Sequence, residues 1–91
     1  MAPIPLLEAV EQETIRLLKE ERMRQALSAT QLATAIKVSR AAITHIEAGR
    51  CRPTFWMILR ISAGLNLDIV EVLREARRLA SDDKAAPKLY P

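Results

Sequence analysis

Only one cysteine, Cys51, and one histidine, His45, occur among the 91 residues. That count excludes an intrachain disulfide and a four-ligand zinc site built from a single chain. Glycine is nearly as scarce. With only Gly49 and Gly64, the phosphate-cradling loops that need several closely spaced glycines are ruled out, and with them nucleotide chemistry of that kind. The three aromatics, Phe55, Trp56 and Tyr90, are too few and too clustered for a sheet that stacks single-stranded RNA bases. The longest uncharged, strongly apolar run is 55–59, far short of the ~18 residues of a membrane span, so no membrane partner is expected. The start, MAPIPLLEAVEQE, lacks a basic segment and turns acidic at Glu8. It does not resemble a secretory signal, and cytoplasmic residence is the expectation.

What is present is a globular composition, 49% hydrophobic and 27% charged, which favours folding over disorder. The length suits one domain. β-Branched residues nowhere alternate for the length of a strand, whereas apolar residues recur at helical spacing throughout, so the fold class is all-α. Five helices are predicted. The first spans about 5–26, with Leu7, Val10, Thr14, Leu17 and Leu18 on one stripe. Ser28, followed three residues later by Gln31, marks the start of the second as a capping box. Ser39 caps a third over about 40–48, which Gly49 ends. Thr54 caps a fourth, closed by Gly64, with Phe55, Ile58, Leu59, Ser62 and Leu65 turned inward. A fifth spans about 68–80, with Ile69, Val72, Leu73, Ala76 and Leu79 on its apolar face. The domain is thus expected over 1–80, with a mobile polar tail at 81–91.

The informative segment is ALSATQLATAIKVSRAAITHIEAGRCRP. Leu32, Ala33, Ile36, Val38, Ile43 and Ile46 have the spacing of two short helices crossing steeply, a helix-turn-helix over about 28–48. Here the sequence resembles the Cro and phage-repressor-like regulators, the xenobiotic-response-element family. The resemblance covers about 15–73. It rests on Arg22, S-x-x-Q-L-A at 28–33, V-S at 38–39, I-x-x-I-E-x-G at 43–49, Pro53 and L-N-L-D at 65–68. It implies a compact five-helix, lambda-repressor-like fold with a double-stranded DNA partner. It also implies an ion pair between Arg22 and Glu47 that orients the third helix. Two positions depart from the family pattern. Ala29 stands where a glutamine commonly helps to fix a backbone phosphate, and Lys37 stands where the turn commonly has glycine. A side chain at the second position costs ~1 to 3 kcal/mol if the backbone there is left-handed.

With Ile43 and Ile46 inward, a step of about 100° per residue points Ala41, Thr44, His45 and Ala48 outward, with Arg40 at the N-terminal end. Arg40, Ala41, Thr44 and His45 are the candidate base contacts: Arg40 for guanine O6 and N7, Ala41 and the Thr44 methyl for thymine methyls, His45 as a donor. Candidate backbone contacts are Ser28, Gln31, Lys37, Ser39, Arg50, Arg52 and Thr54, with free N–H groups at the starts of the second and fourth helices adding to them. Residues 37–60 carry Lys37, Arg40, Arg50, Arg52 and Arg60 against Glu47 alone, whereas 1–15 carry Glu8, Glu11 and Glu13. This asymmetry puts positive potential where phosphates are expected. Trp56 falls off the inward side of the fourth helix and, with Met57, is a candidate for a dimer interface.

Cys51 and His45 have no orienting partner in the sequence, and catalysis is not expected. No cofactor is called for. The expected function is a transcriptional repressor acting as a homodimer on a palindromic operator. The alternative class is a protein-interaction module, such as an antitoxin-like partner of a toxin, for which Arg40, Arg50 and Arg52 on one face would have no use.

Overall fold

The structure, a computed structural model, describes residues 2–82. Within them the chain forms five helices and no strand: α1 (Ile4–Arg24), α2 (Ala29–Ile36), α3 (Arg40–Glu47), α4 (Phe55–Gly64) and α5 (Ile69–Asp82). The helix starts are fixed by side-chain oxygens that accept otherwise unpaired backbone N–H groups. Ser28 Oγ accepts from the Gln31 N–H at 3.0 Å while Gln31 Oε1 accepts from the Ser28 N–H at 2.8 Å, a complete capping box. Ser39 Oγ accepts from Ala42 N–H at 3.1 Å, Thr54 Oγ1 from Met57 N–H at 3.1 Å, and Asp68 Oδ1 from Val70 N–H at 2.9 Å. α5 runs through Ser81 and Asp82, past its expected end. The remainder of the expected tail lies outside the described residues.

Four helix ends share one device. The residue that leaves each helix adopts a left-handed conformation, at Ala26 (φ 58), Lys37 (φ 60), Gly49 (φ 74) and Asn66 (φ 60). The N–H of the next residue then reaches back five positions: Leu27 to the Arg22 carbonyl at 3.1 Å, Val38 to Ala33 at 3.0 Å, Arg50 to His45 at 2.9 Å and Leu67 to Ser62 at 2.9 Å. This is the Schellman closure, which satisfies the orphan carbonyls of a helix end. Only one of the four positions is glycine, because the back-bonding and the apolar residues Leu27, Val38 and Leu67 that follow favour the turn. The expectation that Gly64 closes α4 is therefore corrected: Asn66 does so. Gly64 instead lets α2 come close, since a Cβ there would lie 2.9 Å from Leu32 Cδ1 and closer still to Ile36 Cγ2.

α1 makes its broadest contact with α5, and α2 packs on both α3 and α4. Leu18, Leu32, Ile43, Ile46, Ile61 and Leu65 meet in the core between them. Three side chains expected inward are exposed. Leu7 is 45% exposed and Leu6 is buried in its place; Phe55 is 65% exposed and Leu73 36%. Phe55 is the first residue of its helix and overhangs the end of the core, where it lines one hollow with Leu7, Val10 and Leu73.

Candidate nucleic-acid interface

α3 is anchored by Ile43 and Ile46, both buried. Arg40, Ala41, His45 and Ala48 are exposed in consequence, and Thr44 is half-buried. The Thr44 hydroxyl donates to the Ala41 carbonyl at 3.2 Å. Its hydrogen is thus engaged within the helix. The exposed face carries small side chains flanked by one guanidinium and one imidazole, a relief shallow enough to enter a groove.

The orientation of that face is set by α1. Arg22 donates from Nε to Glu47 Oε2 at 2.8 Å and from Nη2 to Glu47 Oε1 at 2.9 Å, while its Nη1 donates to the Leu27 carbonyl at 2.7 Å. The Arg22 and Glu47 side chains are only 13% and 14% exposed. Hydrogen bonding to Glu47 raises the pKa of Arg22 above its ordinary value, against a burial that works the other way. A two-pronged pair of this kind fixes angle as well as distance.

The cations differ in how they are paired. Arg16, Arg24, Arg74 and Arg78 pair with glutamates one turn away on their own helices. Lys37, Arg40 and Arg50, like Lys19 on α1, have no carboxylate partner among the described residues, and all four are exposed. Two other cations from the basic stretch are engaged elsewhere. Arg52 bonds through Nε to Glu11 Oε1 at 3.0 Å and lies 3.6 Å from Glu8 Oε2. Arg60 donates from Nη2 to the Ile36 carbonyl, at the end of α2, and its guanidinium lies 5.5 Å from the Trp56 ring centre. A positive charge there suits the negative end of the α2 dipole. Its Nε is buried without a partner. Trp56 remains 63% exposed beyond this contact, whereas Met57 packs half-buried against the core.

The capping side chains keep donors to spare. An oxygen of Ser28, Ser39 and Thr54 accepts from the backbone, which leaves each hydroxyl hydrogen available; Gln31, engaged through Oε1, keeps its amide N–H groups. These donors sit at helix N-termini, where anions are favoured.

Residues 16–76 match the model of a family described as a helix-turn-helix domain. The chain belongs to this helix-turn-helix family. No curated protein sequence is similar to it at a significant level. Among solved structures, it is similar to a mutant of the restriction-modification controller protein C.Esp1396I, with a TM-score of 0.72 at 20% identity over 81% of this chain and 97% of that one. It is also similar to an HTH_3 family transcriptional regulator from Vibrio cholerae, with a TM-score of 0.67 at 24% identity over 94% of this chain. The chain spans 52% of that regulator. Both share the five-helix fold.

Within the helix-turn-helix domain, two features escape a reading of the sequence. The count of positive charges over 37–60 does not reveal that Arg52 and Arg60 are engaged, because their partners are distant in the chain. A signal for Arg52 existed: Glu8 and Glu11 share one helical face and have no basic residue one turn away on either side. The left-handed turn at Ala26 had only the end of an apolar stripe to announce it, whereas Asn66 is itself a residue type that favours that conformation.

Proposed function

We propose that this protein is a sequence-specific double-stranded DNA-binding transcriptional regulator, a repressor acting in the cytoplasm as a homodimer on a palindromic operator. The observation that carries this reading is the grouping of Lys37, Arg40 and Arg50, three exposed cations without carboxylate partners, around the small-residue face of α3. Arg16, Arg22 and Arg24 on α1 are neutralised by glutamates; Lys37, Arg40 and Arg50 are left to meet an anion. In this reading α3 enters the major groove. Arg40 takes guanine O6 and N7, Ala41 and the Thr44 methyl meet thymine methyls, and His45 donates to a base. Lys37, Arg50, Arg52, the hydroxyls of Ser28, Ser39 and Thr54, and the Gln31 amide hold phosphates on either side. One structural neighbour is named a restriction-modification controller and the other a transcriptional regulator, work of the class proposed here.

The homodimer is supported by an apolar surface. Ile4, Leu7, Phe55, Val70 and Leu73 are exposed, and they line adjoining hollows between α1, α4 and α5. Exposed apolar side chains gathered around adjoining hollows suit an interaction site. The same surface favours a second reading, an antitoxin-like module that binds a toxin, but that reading gives Lys37, Arg40 and Arg50 no role. Footprinting on the promoter region of the protein's own gene is the test. A protected site with two-fold symmetry and half-sites about 34 Å apart is expected; absence of protection on any sequence at low salt would overturn the proposal.

A further inference from the structure

Arg52 faces away from the role given to it above. A guanidinium grips a phosphate best through a fork of two parallel N–H groups. The Nε and Nη2 edge of Arg52 is such a fork, and it is directed at α1: Nε donates to Glu11 Oε1 at 3.0 Å, and Nη2 lies 3.6 Å from Glu8 Oε2. These two acids differ from the others on α1. Glu13 and Glu20 hold Arg16, and Glu21 holds Arg24, each within one turn of the same helix. Glu8 and Glu11 have no such neighbour, and their ion-pair partner is Arg52, more than forty residues away in sequence. Both precede residue 16, where the match to the helix-turn-helix family begins. The contact therefore involves turns of α1 that lie before the stretch matched to that family. Ile4 and Leu7 line the same hollow as the three charged groups.

From this geometry, and resting on the DNA-binding reading, we infer that the N-terminal turns of α1 carry a built-in competitor of the DNA backbone: Glu8 and Glu11 hold Arg52 as a phosphate would, and DNA must displace them. Exposed ion pairs are weak enough to exchange, and Arg52 is 69% exposed, so the contact lowers affinity without preventing binding. It acts on every sequence alike because a phosphate contact carries no base information. Its effect is to lower the affinity for operator and for non-specific DNA by the same factor.

The test is a mutant cycle read by binding to a random-sequence duplex at several salt concentrations. Glu8→Gln/Glu11→Gln is expected to bind about three- to tenfold more tightly at low salt, with a slope of log affinity against log salt close to that of the unaltered protein, since Arg52 meets a phosphate in both complexes. Arg52→Gln with the same two substitutions should match Arg52→Gln alone. An equal gain in both backgrounds would show that the acids merely repel DNA and would overturn the inference. A loss of affinity that depends on Arg52 would also overturn it, since the acids would then be aiming the side chain at DNA. Failure of the unaltered protein to bind any duplex would instead refute the DNA-binding reading itself.

Discussion

At the scale of single residues, Arg40 and Arg50 have the same charge and the same lack of a carboxylate partner, but they differ in position. Arg40 begins the exposed helix and Arg50 follows its end. Arg40→Ala should lose about 1 to 3 kcal/mol on the preferred operator and relax discrimination at one base pair. Arg50→Ala should weaken binding to all sequences alike and lower the salt slope by about one unit. Quantitative binding to operator variants at two salt concentrations separates the two, and uniform behaviour of Arg40→Ala would make it a phosphate clamp. Lys37 combines two opposed effects. Its left-handed backbone, φ 60 and ψ 48, is strained for a residue with a Cβ, so Lys37→Gly should raise stability by about 0.5 to 1 kcal/mol while weakening DNA binding. A higher Tm with unchanged affinity would remove Lys37 from the interface. Much at this scale was legible in the sequence: the serines and the threonine at 28, 39 and 54 announce caps because their chemistry is local. Arg60 was illegible because its partner, the Ile36 carbonyl, is set by the packing of α4 on α2; Arg52 left only the indirect signal of two acids, Glu8 and Glu11, without a base one turn away.

At the scale of the elements, the helix starts are written in the sequence by hydroxyl residues, while the ends are written only in part. A left-handed turn leaves a local mark when it needs glycine, as at Gly49, and little mark when hydrogen bonds and a following apolar residue stabilise it, as at Ala26. Gly64, which does look like a helix stop, is explained by contact between elements. Gly64→Ala should destabilise the protein by about 1 to 3 kcal/mol, because the new methyl would push α2 and α4 apart. Chemical denaturation measures this, and an unchanged midpoint would show that Ile36 can yield. At the end of α1, hydrogen bonds first from Arg24 and then from Gln25 lower the pKa of Glu21 from 4.5 to about 2. Gln25 also donates to the Leu65 carbonyl at 2.8 Å, tying this corner to α4. Because the folded value lies below the unfolded one, the stabilisation is complete above about pH 4.5 and is lost as pH falls towards 2. Glu21→Gln should flatten the stability profile in that window and not above it, as thermal melts across the acid range would show.

At the scale of the whole molecule, periodicity and capping sufficed to predict five helices and the helix-turn-helix, because each helix buries one stripe of its own sequence. The outer face formed by α1, α4 and α5 was misjudged. Leu7, Phe55 and Leu73 have the spacing of core residues, and only the assembled fold shows that no element among the described residues covers them. Leu7→Lys with Phe55→Glu should leave the fold intact, shift sedimentation to monomer, and abolish the cooperative rise of operator occupancy with protein concentration. A double variant that still dimerises would place the interface elsewhere, with Trp56 the next candidate. The closed helix ends bear on the thermodynamics of recognition. Caps at Ser28, Ser39 and Thr54, and back-bonded turns at Lys37 and Gly49, leave the helices of the reading unit closed at these ends before DNA arrives. No segment between α2 and the start of α4 has to fold on contact. The heat capacity lost on binding then reports the surface buried between protein and DNA, without the large additional loss that accompanies coupled folding.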